Sequence, residues 1–195
     1  MNLFLRITLA SLLLATGTLP AVAQKRFCPA APPSPFKHNA TIVTNFDRAS
    51  DRMRTTLEHP RPLDRRDGEI YLSASFVHRD SRKPVDNAGV DITFISRSVI
   101  PRYRDSHDIV ILADAGQWPF AGNAAHYRRA QDGNGAVLES TRVTIPHDVL
   151  LNIIRSKRVA ARLGQTEFEL THNHLEALRE LASLAAPPKT DWGTR

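Results

Sequence analysis

The sequence predicts an α+β protein in which a mostly antiparallel β-sheet has two C-terminal helices packed on it. Segments with the character of strands recur from Glu69 to Ile145, and a helix, a hairpin and a second helix follow. Strands and helices that are segregated along the chain are typical of this fold class. A β-sandwich with helical additions is the alternative.

Length and composition are those of one globular domain with tails. The chain has 195 residues, of which 42% are hydrophobic and 24% are charged, and these fractions argue against global disorder and against a coiled coil. Its one cysteine, Cys28, excludes an intrachain disulfide framework and a zinc site built from cysteines. The formal net charge of +6 favours encounter with anionic surfaces.

Residues 1–23 are interpreted as a secretory signal peptide. Arg6 precedes an apolar stretch from Ile7 to Ala15, and Ala21-Val22-Ala23 has the small residues of a cleavage site. The apolar stretch is too short to span about 30 Å of hydrocarbon. The sequence therefore predicts a periplasmic or secreted protein whose mature chain has no transmembrane segment and whose partner is not a nucleic acid.

Residues 24–67 are interpreted as a Pro-rich and charged leader that is partly flexible. A short helix is expected near Ala49–Leu57, before Pro60 and Pro62 stop it. A single β-rich domain is expected over residues 68–186, and a loose tail over residues 187–195.

Alternating apolar residues predict strands over Glu69–His78 and from Val90 to Phe94. The segment Asp108–Ala113 is short, apolar and rich in β-branched residues, which predicts a central strand. The next segment, Asp114–Asn123, is interpreted as a loop that contains Trp118.

Two hairpins are predicted in the second half of the chain. Ala125–Gln131 and Ala136–Ile145 flank the turn residues Asp132 to Gly135, and Glu139 shares a face of the second arm with apolar residues. Gly164-Gln165 predicts a two-residue turn between the next two strands, whose inward residues are Val159, Ala161, Leu163, Phe168 and Leu170.

Two helices are predicted around the second hairpin. The first has Pro146 in its first turn, and the second follows Thr171 as its N-cap. A core-facing stripe on the last helix is expected from four leucines at a spacing of three, namely Leu175, Leu178, Leu181 and Leu184.

The candidate catalytic residues are His107, Asp108, Asp114 and His126, which would serve a metal-assisted or general acid/base hydrolase of an envelope polymer. Ser106-His107-Asp108 contains the residue types of a hydrolytic triad, but neighbours in an extended chain point apart, so a polar turn is the preferred interpretation. His172 and His174 resemble a pair of metal ligands, but at a helix start they would lie about 200° apart, on nearly opposite faces of the helix. No metal site and no cofactor are therefore predicted.

The candidate ligand-binding residues are four basic and two aromatic side chains: Arg155, Lys157, Arg158, Arg162, Trp118 and Phe120. The basic residues form a stretch with no acid between Asp148 and Glu167, which suits an anionic ligand. The alternative for this stretch is a solvated strand face and a complement to a helix dipole. The aromatic pair suits contact with a glycan or a protein, and a small satellite core is the alternative.

These features favour a non-enzymatic exported protein that acts by binding an anionic envelope component or another envelope protein. The hydrolase is the second hypothesis. The third is an assembly subunit that pairs through a strand edge.

Overall fold

The computed structural model describes residues 34–48, 51–66, 68–78 and 89–185, and these residues form two β-sheets and two α-helices. The strands are β1 (Thr41–Asp47), β2 (Arg52–Glu58), β3 (Glu69–His78), β4 (Val90–Ser98), β5 (Ile109–Ala113), β6 (Gly116–Phe120), β7 (Ala125–Gln131), β8 (Val137–Ile145), β9 (Val159–Leu163) and β10 (Thr166–Glu169). The helices are α1 (His147–Arg155) and α2 (His172–Ala185).

All strand pairs are antiparallel, so the predicted α+β class with a mostly antiparallel sheet is confirmed. The first sheet has the order β1-β2-β3-β4-β8-β7, and the second has the order β10-β9-β5-β6. The two predicted hairpins are present as β7–β8 and β9–β10, and β5 is central in its sheet as predicted. Neither described helix has the length and apolar character that crossing a membrane requires.

The prediction of a helix near Ala49–Leu57 is wrong, because Arg52–Glu58 is the strand β2. Thr55 and Leu57 are both buried, which is the two-residue period of a strand, and Leu57 pairs with Ala74 of β3. The strand β1 also lies in the stretch interpreted as a leader. The first sheet therefore begins at Thr41, well before Gly68. The predicted signal peptide, Cys28 and the predicted tail lie outside the described residues.

The interpretation of Asp114–Asn123 as a loop is wrong over Gly116–Phe120, which is the edge strand β6. Trp118 pairs with Ile111 and Phe120 pairs with Ile109, and both aromatic side chains are half-buried against the core. Pro119 lacks an amide proton for the ladder, which an edge strand tolerates. The proline made the segment resemble a loop.

One of the four leucines expected in the stripe of α2 does not face the core. Leu175, Leu178 and Leu181 are buried, whereas Leu184 is 53% exposed. Nine residues at about 100° each bring Leu184 half a turn away from Leu175. A spacing of three therefore drifts around the helix, and Ala182 and Ala185 take the buried positions.

The core has a small apolar void of about 10 Å³ at its centre. Its lining includes Leu72 and Phe94 of the first sheet, Ile111 of the second sheet, Leu150 of α1 and Leu178 of α2. This volume is barely enough for one water molecule, and the lining is apolar. The void is therefore a small packing defect in a close-packed interior.

Two buried histidines connect the residues after β2 to the start of α2. The rings of His59 and His174 lie with their centroids 3.8 Å apart. His59 Nε2 donates to Asn173 Oδ1 at 2.7 Å, while His174 Nδ1 accepts from the Thr171 hydroxyl at 2.7 Å. Burial, and after it the neighbouring His59, lowers the pKa of His174 to about 4. The His174 ring is therefore held in its neutral form.

The free energy of unfolding is expected to fall as the pH drops from about 6.5 to about 4. His174 has a pKa of about 4 in the folded protein and 6.5 as its ordinary value, so the unfolded chain takes up the proton first. Protonation of His174 should lower the free energy of unfolding by roughly 3 kcal/mol in all. Urea unfolding across this pH range measures it.

The matched variants are His174→Gln and His172→Gln, since His172 is an exposed neighbour on the same helix. His174→Gln should flatten the plot of the free energy of unfolding against pH between these pH values, and His172→Gln should leave the plot unchanged. A His174→Gln profile that runs parallel to that of the natural protein would show that this histidine does not cause the pH dependence.

Candidate functional site

The β7–β8 hairpin places its polar residues in two layers. His126 pairs with Arg142 and Arg128 pairs with Ser140, and these four side chains share the outer face of the first sheet. Glu139 has the opposite orientation and is only 1% exposed. Because successive residues of a strand alternate between faces, the hairpin separates a basic outer layer from a buried carboxylate.

The carboxylate of Glu139 accepts three hydrogen bonds. The Arg102 amide donates to Oε2 at 2.7 Å, while the Tyr103 amide at 3.0 Å and the Tyr127 hydroxyl at 2.7 Å donate to Oε1. Burial, followed by the hydrogen bond to Glu139, raises the pKa of Tyr127 to about 12. Tyr127 therefore stays protonated and donates a hydrogen bond to the Glu139 carboxylate.

An open concave surface, the basic groove, lies beside this pair. It consists of two adjoining spaces of about 610 Å³ and 160 Å³, and both are lined by His126, Arg128 and Arg142. His107 also lines the larger space and stacks on the Tyr127 ring at a centroid distance of 5.1 Å. The His107 Nδ1 atom is buried and has no hydrogen-bond partner among the described residues.

A second concave surface of about 310 Å³, the Arg162 groove, lies on the second sheet. Arg162 and Gln165 line it together with Phe120, Ser106 and Asp108. The β9–β10 turn closes one side. Gly164 in this turn has φ +56° and donates its amide to the Asp108 carbonyl at 2.9 Å. A side chain at Gly164 would meet the Ser106 carbonyl, so the close approach requires glycine.

The candidate catalytic residues are divided among three places. His107 and His126 line the basic groove, and Asp108 lines the Arg162 groove, where its Oδ1 accepts from the Gly122 amide at 3.3 Å. Asp114 stands apart, because its Oδ2 accepts from the amides of Lys157 at 2.8 Å and Arg158 at 3.2 Å. The structure thus brings together the two histidines and leaves out Asp114.

The candidate ligand-binding residues are divided as well. Arg162 and Phe120 line one groove. Arg155, Lys157 and Arg158 are exposed at and after the end of α1, outside the lining of that groove. Trp118 packs partly against the core. Of the four basic residues, Arg162 alone is in the lining of this groove.

Sequence reasoning missed Arg128, Arg142 and Tyr127. The predicted hairpin held only part of the signal, because alternation along its second arm puts Arg142 on the face opposite to Glu139. Counting outward from the predicted turn pairs Gln131 with Ala136, whereas the structure pairs Gln131 with Val137 and therefore His126 with Arg142. Among the described residues, no three or more side chains of His, Cys, Asp or Glu come close enough to hold a metal ion.

No protein-family model matches the chain, and comparisons with curated proteins and with solved structures find no match.

Removing the carboxylate of Glu139 is expected to lower the free energy of unfolding by about 3 kcal/mol, because Glu139→Ala leaves three donors unpaired. Glu139→Gln keeps one acceptor oxygen and should lose less. Urea unfolding measures both. The control is Glu167→Ala, which removes an exposed acid. A loss no larger for Glu139→Ala than for the control would contradict this role.

Proposed function

We propose that the protein is an exported, non-enzymatic binding protein of the cell envelope, and that its ligand has a negative charge beside an apolar or sugar-like body. The observation that carries the proposal is the meeting of Arg162 and Phe120 in one groove. The signal-like residues 1–23 and the net charge of +6 support export and an anionic partner.

The Arg162 groove has the features of a small-ligand site. Its volume of about 310 Å³ lies at the lower end of the range of such pockets, and a few polar groups converge on an apolar wall. Phe120, Val110 and Pro119 supply the wall. A ligand ring or chain can therefore lie against apolar atoms while its charged group reaches the rim.

Arg162 is the cation of this groove. It is exposed, and no carboxylate of the described residues lies within ion-pair distance of it, although Glu167 is its partner in the strand register. A guanidinium donates two parallel hydrogen bonds to a carboxylate or a phosphate. The neighbouring Asp108 carboxylate is partly satisfied by the Gly122 amide, which reduces its competition for Arg162.

The proposal includes a scaffold in which the two C-terminal helices pack on the sheets. The shared lining of the central void by Leu72, Leu150 and Leu178 supports this arrangement. The scaffold holds the strands β5, β6 and β9, which present the groove.

The two alternatives have different support. A hydrolase would need a carboxylate near His107 and His126, and the described residues that line the basic groove include none. Assembly through a strand edge is supported by β1, an edge strand whose Val43 and Phe46 are 44% and 54% exposed.

Thermal unfolding with two probes tests the proposal: an acidic oligosaccharide and a peptidoglycan fragment. At 100 times its dissociation constant, a ligand stabilises the protein by about 2.7 kcal/mol. Arg162→Glu should abolish this effect. Arg155→Glu, which makes the same change of charge outside the groove, should preserve it.

The proposal fails if no probe raises the melting temperature of the natural protein. The assignment to the Arg162 groove fails if Arg155→Glu removes the effect as completely as Arg162→Glu does, because net charge alone would then explain the binding.

A further inference from the structure

We propose that the basic groove is a separate binding site for phosphate groups. It lies on the outer face of the first sheet, and it takes a phosphomonoester or phosphodiester whose oxygens are held by Arg128 and Arg142. Its lining residues are different from those of the Arg162 groove.

The first support is an excess of positive charge. Arg142 and Arg54 share the single carboxylate of Asp91, at 3.7 Å and 4.0 Å from its Oδ2 atom. Asp91 also accepts from the Thr144 hydroxyl at 2.7 Å. In the part of the chain that the structure describes, Arg128 has no carboxylate within ion-pair distance.

The second support is the strand register. His126 stands directly opposite Arg142, and Arg128 lies diagonally next to Arg142 on the same face. The two guanidinium groups of Arg128 and Arg142 are therefore neighbours of like charge on one face, which is unfavourable unless an anion lies between them. Ser140, opposite Arg128, and Thr93, opposite Arg142 on the other side, add hydroxyl donors to the same concave surface.

This set of donors suits phosphate better than carboxylate. Two guanidinium groups, two hydroxyls and two imidazoles line one surface, and a phosphate has more acceptor oxygens to satisfy donors than a carboxylate has. Both spaces are open, so a phosphate attached to a larger molecule can enter from the side.

Protection of a sheet edge does not explain the arrangement. Charged residues on an edge strand block pairing with another chain, and β7 is an edge strand. Arg142, however, belongs to β8, which is paired on both sides by β4 and β7. Edge protection therefore does not explain Arg142, and the ion pair of Arg142 with Asp91 leaves Arg128 beside it without a carboxylate among the described residues.

The neighbouring Arg129 provides a matched control. It is exposed on the same strand as Arg128, but it pairs with Glu139 in the register and so projects toward the other face. Arg128→Gln and Arg129→Gln remove the same charge from the same strand. Only the first removes a donor from the basic groove.

The experiment measures binding of the full chain to pyrophosphate by calorimetry and to phosphatidylcholine vesicles with and without phosphatidylglycerol by co-flotation. Arg128→Gln should weaken binding about tenfold, which corresponds to 1.4 kcal/mol. Arg129→Gln should stay within about twofold, and added salt should weaken binding because the site is open.

Binding of pyrophosphate alone supports the site with a soluble phosphate ligand, and binding of phosphatidylglycerol vesicles alone supports it with a lipid headgroup. The proposal is overturned if neither probe binds. It is also overturned if Arg129→Gln weakens binding as much as Arg128→Gln, since a diffuse charge effect would then suffice.

Discussion

The buried carboxylate of Glu139 fixes the point at which the chain leaves the first sheet for the second. It binds the amides of Arg102 and Tyr103, which lie in the connection between β4 and β5. The Tyr103 hydroxyl in turn donates to Thr166 Oγ1 of β10 at 3.0 Å. Buried Tyr103 therefore connects Glu139 of the first sheet to Thr166 of the second. Burial of a carboxylate is unfavourable, and the three donors offset that penalty only while all remain in place.

Both grooves depend on the segment that follows this anchor. His107 lines the basic groove, while its neighbours Ser106 and Asp108 line the Arg162 groove. The residues that resemble a hydrolytic triad in sequence therefore serve two different surfaces. Because His107 lines one groove and its two neighbours line the other, adjacency in the sequence does not produce a triad.

Alternation of apolar residues was sufficient to predict β3, β4 and β8, and it also placed Glu139 on the buried face. It failed for β2, where charged residues obscure a period that rests on Thr55 and Leu57. The sequence could not predict that Arg162 and Phe120 line one groove. Their proximity depends on the spatial order β9-β5-β6, which no local pattern reveals. The position of Arg128 diagonal to Arg142 on one face of the hairpin also needed the structure, because the turn predicted over residues 132–135 gives a register that is one residue off.

Amide hydrogen exchange at Arg102 and Tyr103 tests most directly whether Glu139 anchors the connection between the sheets. Both residues lie outside the strands, and an ordinary loop amide exchanges through local opening with little protection. The Glu139 contacts predict instead that both amides exchange as slowly as those in the middle of β4 and β8, by global unfolding. Fast exchange at both amides beside slow exchange in these strands would contradict this role of the carboxylate.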